Sequence, residues 1–194
     1  MTVARPRAGT NGPAGLVLWP GAGATRDYRT LVALETALAP RRVVRMDHAY
    51  RLAGRKSPGK AAVDIAGVVD AVAAQADVWG VDPGRVVIGG RSYGGRMCSM
   101  AVAGGLAVAG LVLLSYPLHP PGKPERLRTE HFGDITVPTL MVSGTSDPFG
   151  SLEEFAREVG AFRGPLTQRW VAGAHDPRAD DEVAAIVAEW FDTL

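Results

Sequence analysis

The sequence predicts a mostly parallel six-stranded sheet with helices on both faces, and three observations lead there. Short β-branched and Leu-rich runs alternate with longer Ala-rich segments along the chain. The short runs are uniformly apolar, as strands buried on both sides must be. The chain has 194 residues and is 46% hydrophobic, the size of one domain with a sizeable core.

The predicted strands are Leu16–Trp19, Val43–Asp47, Val86–Gly89, Gly110–Ser115, Thr139–Ser143 and Thr167–Val171. The predicted helices are Tyr28–Ala39, Ala61–Trp79, Tyr93–Gly104, Leu152–Ala161 and Asp181–Thr193. Within Ala61–Trp79, the residues Val63, Ala66, Val69, Val72, Ala73 and Ala76 form an i, i+3, i+4 stripe expected to face the sheet. Tyr116–Pro138 holds five of the 14 prolines, Pro117, Pro120, Pro121, Pro124 and Pro138. Proline at that density opposes long helices, so an extended excursion is expected there and not a helical lid. No linker or repeat divides the chain. Residues 1–15 read as a flexible leader and 16–194 as the folded domain.

Twenty-one basic and 20 acidic residues leave a formal net charge of +1, which points to no nucleic-acid or membrane-surface partner. Cys98 is the one cysteine, so no internal disulfide and no Cys/His zinc cluster is expected. The apolar run after Arg5 and Arg7 is only Leu16–Trp19, too short for a signal-peptide core or a membrane span, and the cytoplasm is the expected location.

Three glycine motifs compete to define the chemistry. Gly21-Ala22-Gly23-Ala24-Thr25-Arg26 follows the first strand and begins like a dinucleotide fingerprint, with Asp47 where a ribose-binding acid would stand. Its third glycine position is occupied by the bulky Arg26, where close helix–strand packing is needed. Gly54-Arg55-Lys56-Ser57-Pro58-Gly59-Lys60-Ala61 resembles a phosphate loop until Ala61 stands in place of the magnesium-binding hydroxyl. Pro58 also removes a backbone N–H from a loop whose work is to present them. It reads as a solvated basic loop. Gly90-Arg91-Ser92-Tyr93-Gly94 follows a strand and opens a helix, the strand–turn–helix setting in which a serine nucleophile is held on a tight turn.

A serine hydroxyl needs a base within hydrogen-bond reach. In folds built on this turn, the acid and then the histidine follow on loops after later strands. Asp147, in Ser143-Gly144-Thr145-Ser146-Asp147-Pro148, lies just past the fifth strand, and His175, in Gly173-Ala174-His175-Asp176, just past the sixth. All these loops leave the same edge of a parallel sheet, where ligand sites form. Plainer readings stay open: Asp147 before a proline as a turn initiator, and His175 as an exposed loop residue. His48, His119 and His131 fit the role of base less well. Asp176 reads as a brace for the loop, and Cys98 as a buried small hydrophobe. Arg91 and Arg96 read as ion-pair members or as binders of a substrate anion. The oxyanion donors are expected to be the backbone N–H of Tyr93 and that of Ala22, with Gly21 and Gly23 allowing close approach.

Leu16–Pro20 with its Gly-Ala-Gly-Ala turn, Gly89–Arg96, Ser115–Pro124 and Gly144–Gly150 together resemble a small α/β-hydrolase-like family. That family includes the NSL-complex subunit and its testis-expressed relatives, near the dienelactone-hydrolase group. The resemblance covers residues 16–194 and implies an α/β-hydrolase fold without a large lid domain, with the triad on Ser92, Asp147 and His175. Relatives often carry His where this chain has Pro20, which has no hydrogen-bonding side chain. The implied activity is cleavage of a small-molecule ester or related acyl substrate, without metal or organic cofactor. The alternative is a hydrolase-like interaction module, since some relatives act as scaffolds.

Overall fold

The computed structural model describes residues 12–194. Residues 1–11 of the expected leader lie outside the described residues. Six parallel strands form one sheet: β1 (Gly15–Trp19), β2 (Val43–Arg45), β3 (Val86–Arg91), β4 (Gly110–Leu114), β5 (Thr139–Gly144) and β6 (Leu166–Val171). Their spatial order is β2-β1-β3-β4-β5-β6, so the chain reverses its winding between β1 and β3.

Strand alternation divides the core into two layers. Leu16 and Leu18 of β1 point to one face, where they meet Leu31, Leu34, Val183 and Val187. These come from α1 (Arg29–Ala37) and α6 (Asp180–Phe191). Val17 and Trp19 point to the other face with Val68, Val72, Met97, Ala101 and Phe155. Those side chains come from α3 (Ala61–Trp79), α4 (Tyr93–Ala103) and α5 (Leu152–Glu158), while the short α2 (Ala49–Leu52) leads into α3. Burying strands between helices on both faces is the physical reason a parallel sheet reads as unbroken apolar runs. Among the described residues, no helix is long and apolar enough to cross a membrane.

Three expectations need correction. Burial on both sides holds for β1, β4 and β5 but not for the edge strands: β2 is half-buried throughout, and in β6 only Val171 is buried. An edge strand has one covered flank fewer, and Gln168 and Arg169 of β6 meet solvent. Helix α2 was not expected, since one turn is too short to show a period. The inward face of α3 consists of Asp64, Val68, Val72 and Ala76, whereas Val63 and Val69 of the expected stripe are exposed. Alanine and valine occur all around α3, so a stripe can be drawn on either side. The true one contains a carboxylate, which an apolar search passes over.

The excursion between β4 and β5 is extended as expected, with a single short 3-10 turn at Phe132–Asp134.

Candidate active site

The parallel register brings the strand ends level. Trp19 pairs with Gly90, Arg91 with Leu114, Leu114 with Val142, and Gly144 with Val171. The loops leaving β1, β3, β5 and β6 therefore share one edge, beside the point where the winding reverses, the usual place for a crevice in an open α/β sheet.

Ser92 follows β3 directly and caps α4 with φ 49° and ψ −113°, a conformation that L residues avoid. The flanking glycines let the surrounding backbone close around it. A Cβ on Gly94 would lie 2.5 Å from the Trp19 carbonyl oxygen and 2.6 Å from that of Pro20. One on Gly90 would lie 2.5 Å from the Trp19 oxygen. Any other residue at either position collides with backbone.

The three residues expected to act together do meet. Ser92 Oγ lies 2.8 Å from His175 Nε2. His175 Nδ1 lies 3.0 and 2.9 Å from the two carboxylate oxygens of Asp147. The Asp147 side chain is 0% exposed and the His175 side chain 17% exposed, so the acid is sealed while the imidazole faces the crevice. Asp147 Oδ1 also accepts the Phe149 N–H at 2.9 Å, a local turn that orients the carboxylate. The Phe149 ring stacks on His175 at 3.9 Å between centroids and fixes the plane of the imidazole.

Asp176 braces the loop, as expected. Its carboxylate accepts from the Tyr28 hydroxyl and, at 2.6 Å, from Arg29, and it lies 3.5 Å from Arg91. Arg91 also donates to the His175 carbonyl at 2.8 Å. The ion-pair reading thus holds for Arg91. It does not hold for Arg96, which forms no ion pair among the described residues and whose Nε is buried without a hydrogen-bond partner.

Ala22 and Tyr93 both line a cavity of about 440 Å³ over Ser92 and His175. Tyr93 is the first residue of α4, so its N–H has no acceptor a turn earlier and the helix N-terminus lies against the crevice. The rival glycine motifs are otherwise engaged. Asp47 accepts the Arg26 N–H at 2.8 Å, closing its own turn, and 53–57 form an exposed loop.

Sequence reasoning missed the layer behind the Gly21–Gly23 turn. His48 Nε2 donates to the Pro20 carbonyl at 2.8 Å, so a histidine from beyond β2 braces the turn that Pro20 itself cannot. The Tyr50 hydroxyl accepts the Gly23 N–H at 2.8 Å. Asp64, 2% exposed, accepts the Tyr93 hydroxyl at 2.8 Å and the Tyr50 N–H at 3.2 Å. Burial, and then the Asp64 bond, push the Tyr93 hydroxyl up, so it stays a donor. The only signal of this layer in the sequence was Asp64 in the first turn of α3, the one acid of that helix that is buried.

Burial holds the His48 imidazole below its ordinary value of about 6.5, against the opposing pull of the Pro20 carbonyl, Asp64 and Asp47. Burial lowers His131 likewise. The unfolded chain therefore binds these protons first, so their contribution to stability is whole above about pH 6.5 and is lost as pH falls toward the folded values. His119, which burial lowers but the Pro120 carbonyl and Glu154 raise on balance, works in the opposite sense. With two groups lowered against this one raised, urea midpoints are expected to fall between about pH 7 and pH 5. In His48→Gln, whose amide still donates to the Pro20 carbonyl, the decline should be shallower. An unchanged slope would show that His48 does not titrate in this way.

Residues 13–183 match the family of alpha/beta hydrolase domains. The chain belongs to that family. Solved structures agree on the fold. A Bacillus cereus carboxylesterase is 16% identical, with TM-score 0.68 over 95% of this chain and 90% of its own. Est1E from Butyrivibrio proteoclasticus, solved with ferulic acid bound, is 16% identical, with TM-score 0.73 over 93% and 89%. A dienelactone hydrolase from Anabaena variabilis is 19% identical, with TM-score 0.68 over 94% and 88%. In this alpha/beta hydrolase the serine, acid and histidine stand after β3, β5 and β6, and the glycine turn after β1.

Proposed function

We propose that this protein is a serine hydrolase that cleaves a small ester or related acyl compound. The observation that carries the reading is the unbroken chain from Ser92 Oγ to His175 Nε2, at 2.8 Å, and from His175 Nδ1 to Asp147, at 2.9 Å, opening on a cavity. Ser92 attacks the carbonyl carbon while His175 takes its proton. His175 then returns that proton to the leaving alcohol, and Asp147 orients the imidazole and stabilises its charged form. Water, activated by His175, releases the acyl group and regenerates Ser92. The Tyr93 and Ala22 N–H groups stabilise the tetrahedral oxyanion, each contributing about 3–4 kcal/mol to lowering the barrier. The dienelactone hydrolase and the carboxylesterase among the structural neighbours suit this chemistry. The doubled-glycine elbow and the Ser115–Pro124 run support a place beside the NSL-complex subunit and its testis-expressed relatives, and the lone Cys98 suits a reducing cytoplasm.

The test is labelling of the intact protein with a fluorophosphonate, followed by peptide mass spectrometry, alongside turnover of short p-nitrophenyl esters. The expected result is one adduct, on Ser92, with accompanying turnover. A folded protein that neither labels nor turns over any acyl length would instead support the interaction-module reading.

A further inference from the structure

The cavity over Ser92 has an unusual wall. Three arginines line it, Arg91, Arg96 and Arg128, and among the described residues no carboxylate does. Arg91 is engaged with the His175 carbonyl and Asp176. The other two are not matched in this way. Neither Arg96 nor Arg128 forms an ion pair among the described residues. The Nε of Arg96 is buried with no partner. Among the described residues the Arg128 guanidinium reaches only the Pro117 carbonyl, at 3.5 Å, the limit of a hydrogen bond.

Both are nevertheless held in place. Arg96 lies in the first turn of α4, three residues after Tyr93. Arg128 comes from the proline-rich excursion, where its N–H donates to the Leu118 carbonyl at 2.9 Å and its carbonyl accepts the Tyr116 hydroxyl at 2.7 Å. Burial, and then the Arg96 charge, lower the pKa of Arg128, so the two cations repel across the cavity. Arg126 adds to that repulsion, and Tyr116 and Glu130 only partly oppose it. Two guanidiniums kept together in a partly dry wall are destabilising until an anion joins them, and their planar forks match a carboxylate.

We infer that Arg96 and Arg128 form an anion subsite beside Ser92, and that the substrate is an ester carrying a carboxylate, such as a half-ester of a dicarboxylic acid. This rests on the serine-hydrolase reading of the site. Ser92 Oγ bonds to the ester carbonyl carbon, the ester C–O bond breaks, and the alcohol leaves with the proton relayed by His175. Water then cleaves the acyl–serine bond, and the products are the alcohol and the dicarboxylic acid.

The experiment compares kcat/KM for mono-p-nitrophenyl adipate and p-nitrophenyl hexanoate, which differ by a terminal carboxylate in place of a methyl. A second pair, 4-carboxyphenyl hexanoate and its methyl ester, moves the charge to the leaving group. In the intact protein, one of the two pairs should favour the anionic member by roughly 10- to 100-fold. In Arg96→Met and in Arg128→Met that ratio should fall toward one, and Lys at either position should restore part of it. A purely structural arginine would lower both members of a pair together and leave the ratio unmoved. Ratios at or below one in both pairs, or a preference that survives both Met variants, would overturn the subsite while Ser92 labelling leaves the hydrolase intact. If Ser92 neither labels nor turns over any of the four esters, the hydrolase reading fails, and the subsite proposal fails with it.

Discussion

Ser92→Ala is expected to lower ester turnover by about 10⁴- to 10⁶-fold and to abolish fluorophosphonate labelling. The attacking atom is the Oγ that lies 2.8 Å from His175 Nε2, and alanine retains everything at the position except that oxygen. The fold should survive, because the hydroxyl faces the crevice and bonds only the imidazole. The backbone at φ 49° is as strained for alanine as for serine. Circular dichroism and a urea midpoint close to those of the parent chain would establish that the lost activity is chemical. A variant that unfolds would mark the hydroxyl as structural. One that retains near-parental turnover would remove Ser92 from the reaction.

Asp147→Asn is expected to lower kcat by about 10⁴-fold while changing stability by only about 1 kcal/mol. An amide of the same shape keeps one oxygen for the Phe149 N–H, now at 2.9 Å from the carboxylate, and so turns its NH₂ toward His175. His175 Nδ1 must then accept a hydrogen bond. That leaves the ring proton on Nε2, where it cannot take the proton of Ser92. Asp176→Asn is the comparison. That carboxylate is bonded to Tyr28, Arg29 and Arg91 instead of the imidazole, and its side chain is 46% exposed. Its loss should loosen the loop at a stability cost below about 1 kcal/mol, with a far smaller effect on rate. Equal losses of kcat in the two variants would mean that both carboxylates orient the histidine.

The strand and helix order could be read from the sequence because the buried strands are short apolar runs separated by Ala-rich helical segments, the longest of them Ala61–Trp79. Ala61–Trp79 was expected with the same bounds as observed. The edge strands were harder to bound, since solvent on one flank relaxes the demand for apolar residues. β2 ends at Arg45, two residues earlier than expected. The inward face of α3 was misread for a related reason. A helix with alanine and valine on every side carries no single stripe, and the buried Asp64 is tolerated only because Tyr93 and Tyr50 donate to it. Those donors lie 29 and 14 residues away in the chain.

By itself the sequence determined the sheet, its layers and the loops that carry Ser92, Asp147 and His175, because strand order and loop position follow from local patterns and from the rule that parallel strands end at one edge. Only the tertiary structure decided which polar groups are matched and which are not. It assigned Arg91 to Asp176, left Arg96 and Arg128 without an anion among the described residues, and supplied His48 as a brace for Pro20. Hydrogen bonds and ion pairs between residues distant in the chain depend on how the loops fold over the sheet edge, and no periodicity in the sequence records that.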